Sequence, residues 1–298
     1  MSSAKVPAER FPTHAQLVEF FNTIIPAHPQ DIPLQYHVPR WPGYDPGVAF
    51  VRDVILSITP TPGVSDKLSR LARGRQKAAC FLHRPFQLDR RALPRGSLVL
   101  ASHKRFDELL TTGYNTALAS RLAVRVDRAF CIQGYKGDPD RRIGLVGPLA
   151  SAQSLEALSG LIEAEMGAAE LYPGSGGLSQ AVRGVAIMNA FHPDEVARVV
   201  AGAEENGLIE AGDASGLLYL TGQPREPGLG AAGAVGMPVI CVGHRPAEEW
   251  GIRYLAEMLR ELWPRLSVHV VLEDEPIIAD ASKVDGTAIK GDNATPIM

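Results

Sequence analysis

The chain has 298 residues, 45% of them hydrophobic and 21% charged, with a formal net charge of -3; that is the composition of an ordinary globular protein, long enough for one large or two modest domains. Its 30 Lys and Arg are offset by 33 Asp and Glu and concentrate nowhere for more than a few positions, which argues against a nucleic-acid partner; the Arg-rich pieces 67–77 and 90–95 read as solvated faces. Neither a leader-like apolar core within the first 25 residues nor a run of 18 apolar residues occurs in the sequence, so a cytoplasmic protein without a membrane partner is expected.

Residues 1–12 carry no periodic signal and read as a loose arm. Thr13 and Gln16 match a capping box, and Leu17, Phe20, Phe21, Ile24 and Ile25 make the apolar face of a first helix that stops before Pro26. From 26 to 62 the chain is proline-rich, with His28 and His37 placed on loop surface and a strand at 51–58. Ser65 is expected to cap a helix running to about Ala79. A strand at 79–82 then delivers His83, Arg84 and Pro85, and a second at 96–101 delivers Ser102 and His103. The helix that follows carries Phe106, Leu109 and Leu110, with Asp107 one turn beyond His103 and on the same side.

Further strands are expected at 122–133, 142–146, 182–188, 217–220 and 267–272. Helices begin at Ser151 or Ser154 and at Asp194, the latter ending near Gly207. The apolar run 238–242 has strand length and breaks at Gly243. A helix from Pro246 to about Trp263 follows, with Trp250, Ile252, Leu255, Leu259 and Leu262 at helical spacing. His244 therefore stands at the carboxyl end of a strand, where open α/β sheets place ligands, and Glu248 lies one turn on. Strand end, His, one turn, carboxylate is thus written twice, once in each half of the chain. Strands alternating with helices imply an α/β layered fold.

Other motifs carry less. Gly228, Gly230 and Gly233 spell G-x-G-x-x-G, but the preceding strand ends upstream and no amphipathic helix follows, so dinucleotide binding is disfavoured and no organic cofactor is expected. Residues 174–177 lack the Lys-Ser/Thr of a P-loop, and no G-x-S-x-G elbow is present. Cys80 and Cys241 each precede a His by three residues, yet in a strand such positions face opposite sides, so both thiols read as buried small hydrophobes. His14, His192 and His269 read as structural or surface residues. His83, His103 and His244, which end strands, together with Asp107 and Glu248 read as ligands of a divalent metal.

The segments LHRP at 82–85, SHKRFDELLTTGYNTALASRLAV at 102–124, RIGLVG at 142–147, LYLTG at 218–222 and GHRPAEEWGIRYLAEML at 243–259 together resemble the NIF-three-like family, also called YbgI-like or GTP cyclohydrolase 1 type 2-like. The resemblance implies two similar layered α/β halves with mixed sheets and a metal site at strand ends between them. It sets the first half at 13–147 and the second at 148–273, with a tail at 274–298. It also implies a two-metal centre held by His83, His103, Asp107, His244 and Glu248, and a homo-oligomer in the form of a ring-shaped hexamer. Two departures stand out. Arg84 replaces the second histidine of the family's His-His-Pro motif, and Lys104 and Arg105 flank His103 where neutral residues are usual. A guanidinium cannot ligate a cation, so one metal or two is left open.

Three imidazoles and two carboxylates without thiolate suit Zn, Mn, Fe or Ni alike. The expected chemistry is hydrolysis of a small-molecule carbonyl, amide or ring carbon through metal-bound hydroxide, with Asp107 and Glu248 in the reacting set. Arg84, Lys104 and Arg105 are candidates to hold an anionic substrate group, with solvent exposure the alternative for the last two. A metal-dependent lyase or isomerase, and a metal-binding regulatory or scaffold protein without turnover, are the alternative functions.

Overall fold

The computed structural model describes residues 11–71 and 78–273, so most of the expected arm and the whole expected tail at 274–298 lie outside the described residues. In chain order the elements are α1 (His14–Ile24), β1 (Gln35–His37), β2 (Asp53–Ser57), α2 (Pro62–Leu71), β3 (Ala78–Leu82), β4 (Leu98–Ala101), α3 (Lys104–Leu110), α4 (Thr116–Arg121) and β5 (Phe130–Tyr135). They continue with β6 (Asp138–Ser154), α5 (Leu155–Met166), β7 (Glu170–Tyr172), β8 (Ala181–Met188), α6 (Pro193–Glu205), β9 (Leu217–Thr221), α7 (Glu226–Ala234), β10 (Val239–Cys241), α8 (His244–Leu262) and β11 (Ser267–Val270).

These strands form two mixed sheets, a five-stranded one in the order β1-β4-β3-β2-β11 and a six-stranded one in the order β5-β6-β8-β9-β10-β7. Alternation along each strand sends side chains to two layers. In the first sheet Val54, Leu56, Phe81 and Leu100 face a core shared with α1 and α8. Ile55, Cys80, Leu82 and Val99 face the layer under α2. In the second sheet Val185, Ile187, Leu218 and Leu220 pack toward α4 and α5, whereas Ala186, Met188, Leu217 and Tyr219 pack toward α6 and α7. Strands buried on both faces read as continuous apolar runs, which is why they were visible in the sequence.

The sheets do not divide at 147. That position lies inside β6, and β11 pairs in parallel with β2, returning the chain to the first sheet after the second is complete. Helix α8 joins the two. Its first turns place Ala247 and Trp250 in the second half's core, and its later turns place Ile252, Leu255 and Leu259 in the first half's core. Among the described residues no helix is long and apolar enough to cross a membrane.

Several local expectations shift. The capping box at Thr13 and Gln16 forms, with Thr13 N–H bonded to Gln16 Oε1 at 2.9 Å. Ser65 is not a cap but sits inside α2, which starts at Pro62, and β3 already begins at Ala78. Residues 122–129 are not strand: a turn and a short 3₁₀ segment at Val126–Arg128 precede β5. Helix α6 is capped at His192, with Asp194 in its first turn. Helix α8 starts at His244 rather than Pro246. Gly228, Gly230 and Gly233 all lie within α7, so they form no strand-to-helix phosphate turn. A Cβ on Gly228 would meet Phe191 O at 2.8 Å, which gives that glycine a packing role.

Candidate metal centre

The site gathers where β3 and β4 end and α8 begins. His83 follows β3 on the strand face that carries Phe81, and its ring stacks on Phe106 at 4.4 Å between centroids. It is fully buried. Its amide still bonds Ser57 O at 3.2 Å, continuing the β2–β3 pairing, so its backbone is fixed by the sheet. His103 ends β4 and Asp107 lies one turn along α3. One ligand atom each from His83, His103 and Asp107 falls within 4.8 Å of the others. His103 Nε2 and Asp107 Oδ2 are 3.9 Å apart.

Glu248 approaches His83 from α8, beside the three-residue cluster rather than within it. Its Oε1 lies 3.1 Å from His83 Nε2, while Asp107 Oδ1 lies 3.3 Å from that same nitrogen. The other ring nitrogen, His83 Nδ1, is 3.0 Å from Ser102 O. A carbonyl only accepts, so Nδ1 carries the proton. In the neutral ring Nε2 would then aim a bare lone pair at two carboxylates. Only a second proton or a cation relieves that arrangement. In the proton-only case the two carboxylates outweigh burial, which by itself would lower the value, and raise the His83 pKa to about 9. Nitrogen and oxygen donors bound to one cation at about 2.1 Å lie roughly 3 Å apart; the ligand atoms of His83, His103 and Asp107, all within 4.8 Å of one another, could hold a metal ion.

His244 is placed differently from the other imidazoles. Its Nε2 is 3.2 Å from Glu248 Oε1, but its side chain is 54% exposed and it does not join the three-residue cluster. The bond to Glu248 raises its pKa despite partial burial. Burial pushes the Glu248 carboxyl up, but His244 and His83 outweigh it and hold the group far below the usual carboxylate range. Burial lowers the pKa of His103. Arg84 lies 3.3 Å from the second oxygen of Glu248 through NH2, so the cation that stands where the family motif has a histidine pairs with the Glu248 carboxylate. The Arg105 guanidinium, expected in a substrate clamp, is bonded to Glu108 on α3 in a mostly buried pair. Lys104 is half-buried, and its amide N–H bonds Asp31.

Sequence reasoning missed two neighbours of this site. Asp31, in the proline-rich stretch, accepts hydrogen bonds from the amides of His103, Lys104 and Arg105 at 3.2, 3.0 and 2.9 Å and from the Ser102 hydroxyl at 3.1 Å. It caps α3 from a distance, because antiparallel pairing of Gln35 with Leu100 brings the chain before β1 to the end of β4. Burial raises its pKa, but these backbone bonds outweigh it and lower the carboxyl below 3.8. Phe86, 57% exposed, meets His103 edge-on at 5.2 Å. The spacing of prolines around 26–33 gave no sign of the cap, and the only signal for Phe86 was its position after Pro85.

Residues 87–276 match the family model described as Duf34/NIF3 (NGG1p interacting factor 3). No curated protein matches the sequence. Among solved structures the chain is similar to a protein ybgI of unknown function, at 17% identity and TM-score 0.58 over 89% of this chain and 99% of that one. It is also similar to reduced HcgD from Methanocaldococcus jannaschii, at 15% identity and TM-score 0.58 over 87% and 97%. A Bacillus cereus protein related to NIF3 matches at 13% identity and TM-score 0.50 over 90% and 98%. At these identities the likeness carries the fold.

Proposed function

The chain belongs to the Duf34/NIF3 family, and on that premise we propose that it is a metal-dependent hydrolase of a small molecule, attacking a carbonyl, amide or ring carbon. One cation would be held by His83, His103 and Asp107, with Glu248 beside them. The observation that carries this reading is the His83 ring, its Nδ1 committed to Ser102 O and its Nε2 set between two carboxylates. A divalent ion bound there supplies Lewis acidity and acidifies a water molecule.

The protein's own groups do the rest. The Ser102 carbonyl fixes the His83 tautomer, and Asp31 fixes the backbone that presents His103. Arg84 compensates the charge of Glu248. This favours one cation over two, since a second would face the guanidinium. His244, whose Nε2 is bonded to Glu248 and whose ring is half-exposed, is suited to take or give a proton at Nδ1.

Elemental analysis of the untagged protein tests the reading, with wild type beside Asp107→Ala and Arg84→His. About one equivalent of divalent metal is expected in wild type, little in Asp107→Ala, and a second equivalent in Arg84→His. Metal-stimulated cleavage of activated esters should disappear with Asp107→Ala. A wild-type protein that takes up no Zn, Mn, Fe or Ni under loading conditions would sink the proposal.

A further inference from the structure

Beside His244 the second half holds a cleft of about 250 Å³, open to solvent, at the ends of β8, β9 and β10. Among the described residues that line it none is an Asp or Glu, whereas His192, Arg225 and His244, all basic side chains, do line it. Thr112 and Thr221, each only 2% exposed, line it as well. Neither hydroxyl is hydrogen-bonded to any described residue, so both are available to a group held in the cleft. Arg225 makes no ion pair among the described residues, in contrast to Arg84, Arg105, Arg121, Arg125, Arg198, Arg245 and Arg253. Asn189 adds an amide, one N–H of which reaches Asp107 O at 3.3 Å.

The backbone supports the same charge preference. His192 caps α6, Arg225 caps α7, and His244 is the first residue of α8. Three helices of 13, 9 and 19 residues therefore start at one cleft, and their amino ends favour an anion. A carboxylate has two oxygens for these donors, whereas a phosphoryl group has three and a tetrahedral shape that meets groups arriving from several sides. We propose that this cleft binds the phosphoryl group of a phosphorylated small-molecule substrate, through the Thr112 and Thr221 hydroxyls, Asn189 and Arg225, and so directs the adjoining part of that substrate toward His244. Binding of the anion is independent of the metal. Only the identity of the bond attacked rests on the hydrolase reading above.

The test is calorimetric titration of the full chain, stripped of metal with chelator, with inorganic phosphate and separately with acetate. Phosphate should bind saturably and at least tenfold more tightly than acetate. Thr221→Val and the surface variant Arg225→Gln, each checked for a native circular dichroism spectrum, should each weaken phosphate about tenfold. Asp107→Ala should bind phosphate as wild type does, so failure of the metal reading leaves this result standing. Absence of phosphate binding, equal affinity for acetate, or unchanged affinity in Arg225→Gln would each overturn the proposal.

Discussion

His83 is the residue on which the centre turns, because both of its ring nitrogens are fixed by groups that can only accept. The cysteines make a contrast at the same scale. Cys80 and Cys241 stand three residues before His83 and His244, but both are buried in strands, Cys80 in the layer under α2 and Cys241 in the layer under α6 and α7. Burial pushes each thiol up to about 12. Thiolate is thus disfavoured at both positions, which makes them poor ligands and nucleophiles. Cys131, half-buried, is also raised by burial. Titration with a disulfide reagent at pH 8 should accordingly modify at most one thiol per native chain and all three after unfolding in guanidinium. Fast modification of two thiols in the native protein would contradict this placement.

At the scale of elements, α3 is short and has no local side-chain cap, since His103 makes no capping bond of its own. Asp31 takes that role across 72 residues of sequence. Removing a cap typically costs about 1 kcal/mol, and charge-assisted bonds more, so Asp31→Ala is expected to lose about 1–2 kcal/mol in urea melts at pH 7. The pH dependence has a definite sign. The folded carboxyl lies below its unfolded value near 3.8, so its contribution is fully present above about pH 4 and fades as pH falls through the lower folded value. The stability gap between wild type and Asp31→Ala should stay flat from pH 7 to pH 5 and narrow below pH 4. A gap that widens on acidification would rule out the cap as its source. Because the cap presents His103 and Asp107, the same variant should bind metal more weakly, by roughly tenfold as for other supports of metal ligands.

For the whole molecule the decisive contact is where α8 crosses α3. A Cβ on Gly251 would meet Leu110 O at 2.5 Å and Phe106 Cζ at 2.7 Å, and backbone cannot swing aside as a side chain does. Gly251→Ala is therefore expected to cost about 1–3 kcal/mol and to separate Asp107 on α3 from Glu248 on α8. Metal affinity should fall although no ligand is touched. Thermal melts together with metal titration check this, and a variant with wild-type stability and affinity would refute the close approach. The sequence by itself determined the layered α/β class, most strands, the first helix and its capping box, and the His and carboxylate positions at strand ends. These rest on local periodicity and on residues a turn apart, which the chain encodes without reference to distant segments. Only the tertiary structure decided that β11 returns to the first sheet, that α8 serves both cores, that Asp31 caps α3, and that Arg84 pairs with Glu248 while Arg105 pairs with Glu108. It also decided which imidazoles converge, leaving His244 at the cleft beside the ends of β8, β9 and β10. Each of these depends on pairings between segments far apart in the chain, which burial and sheet register select and no local pattern records.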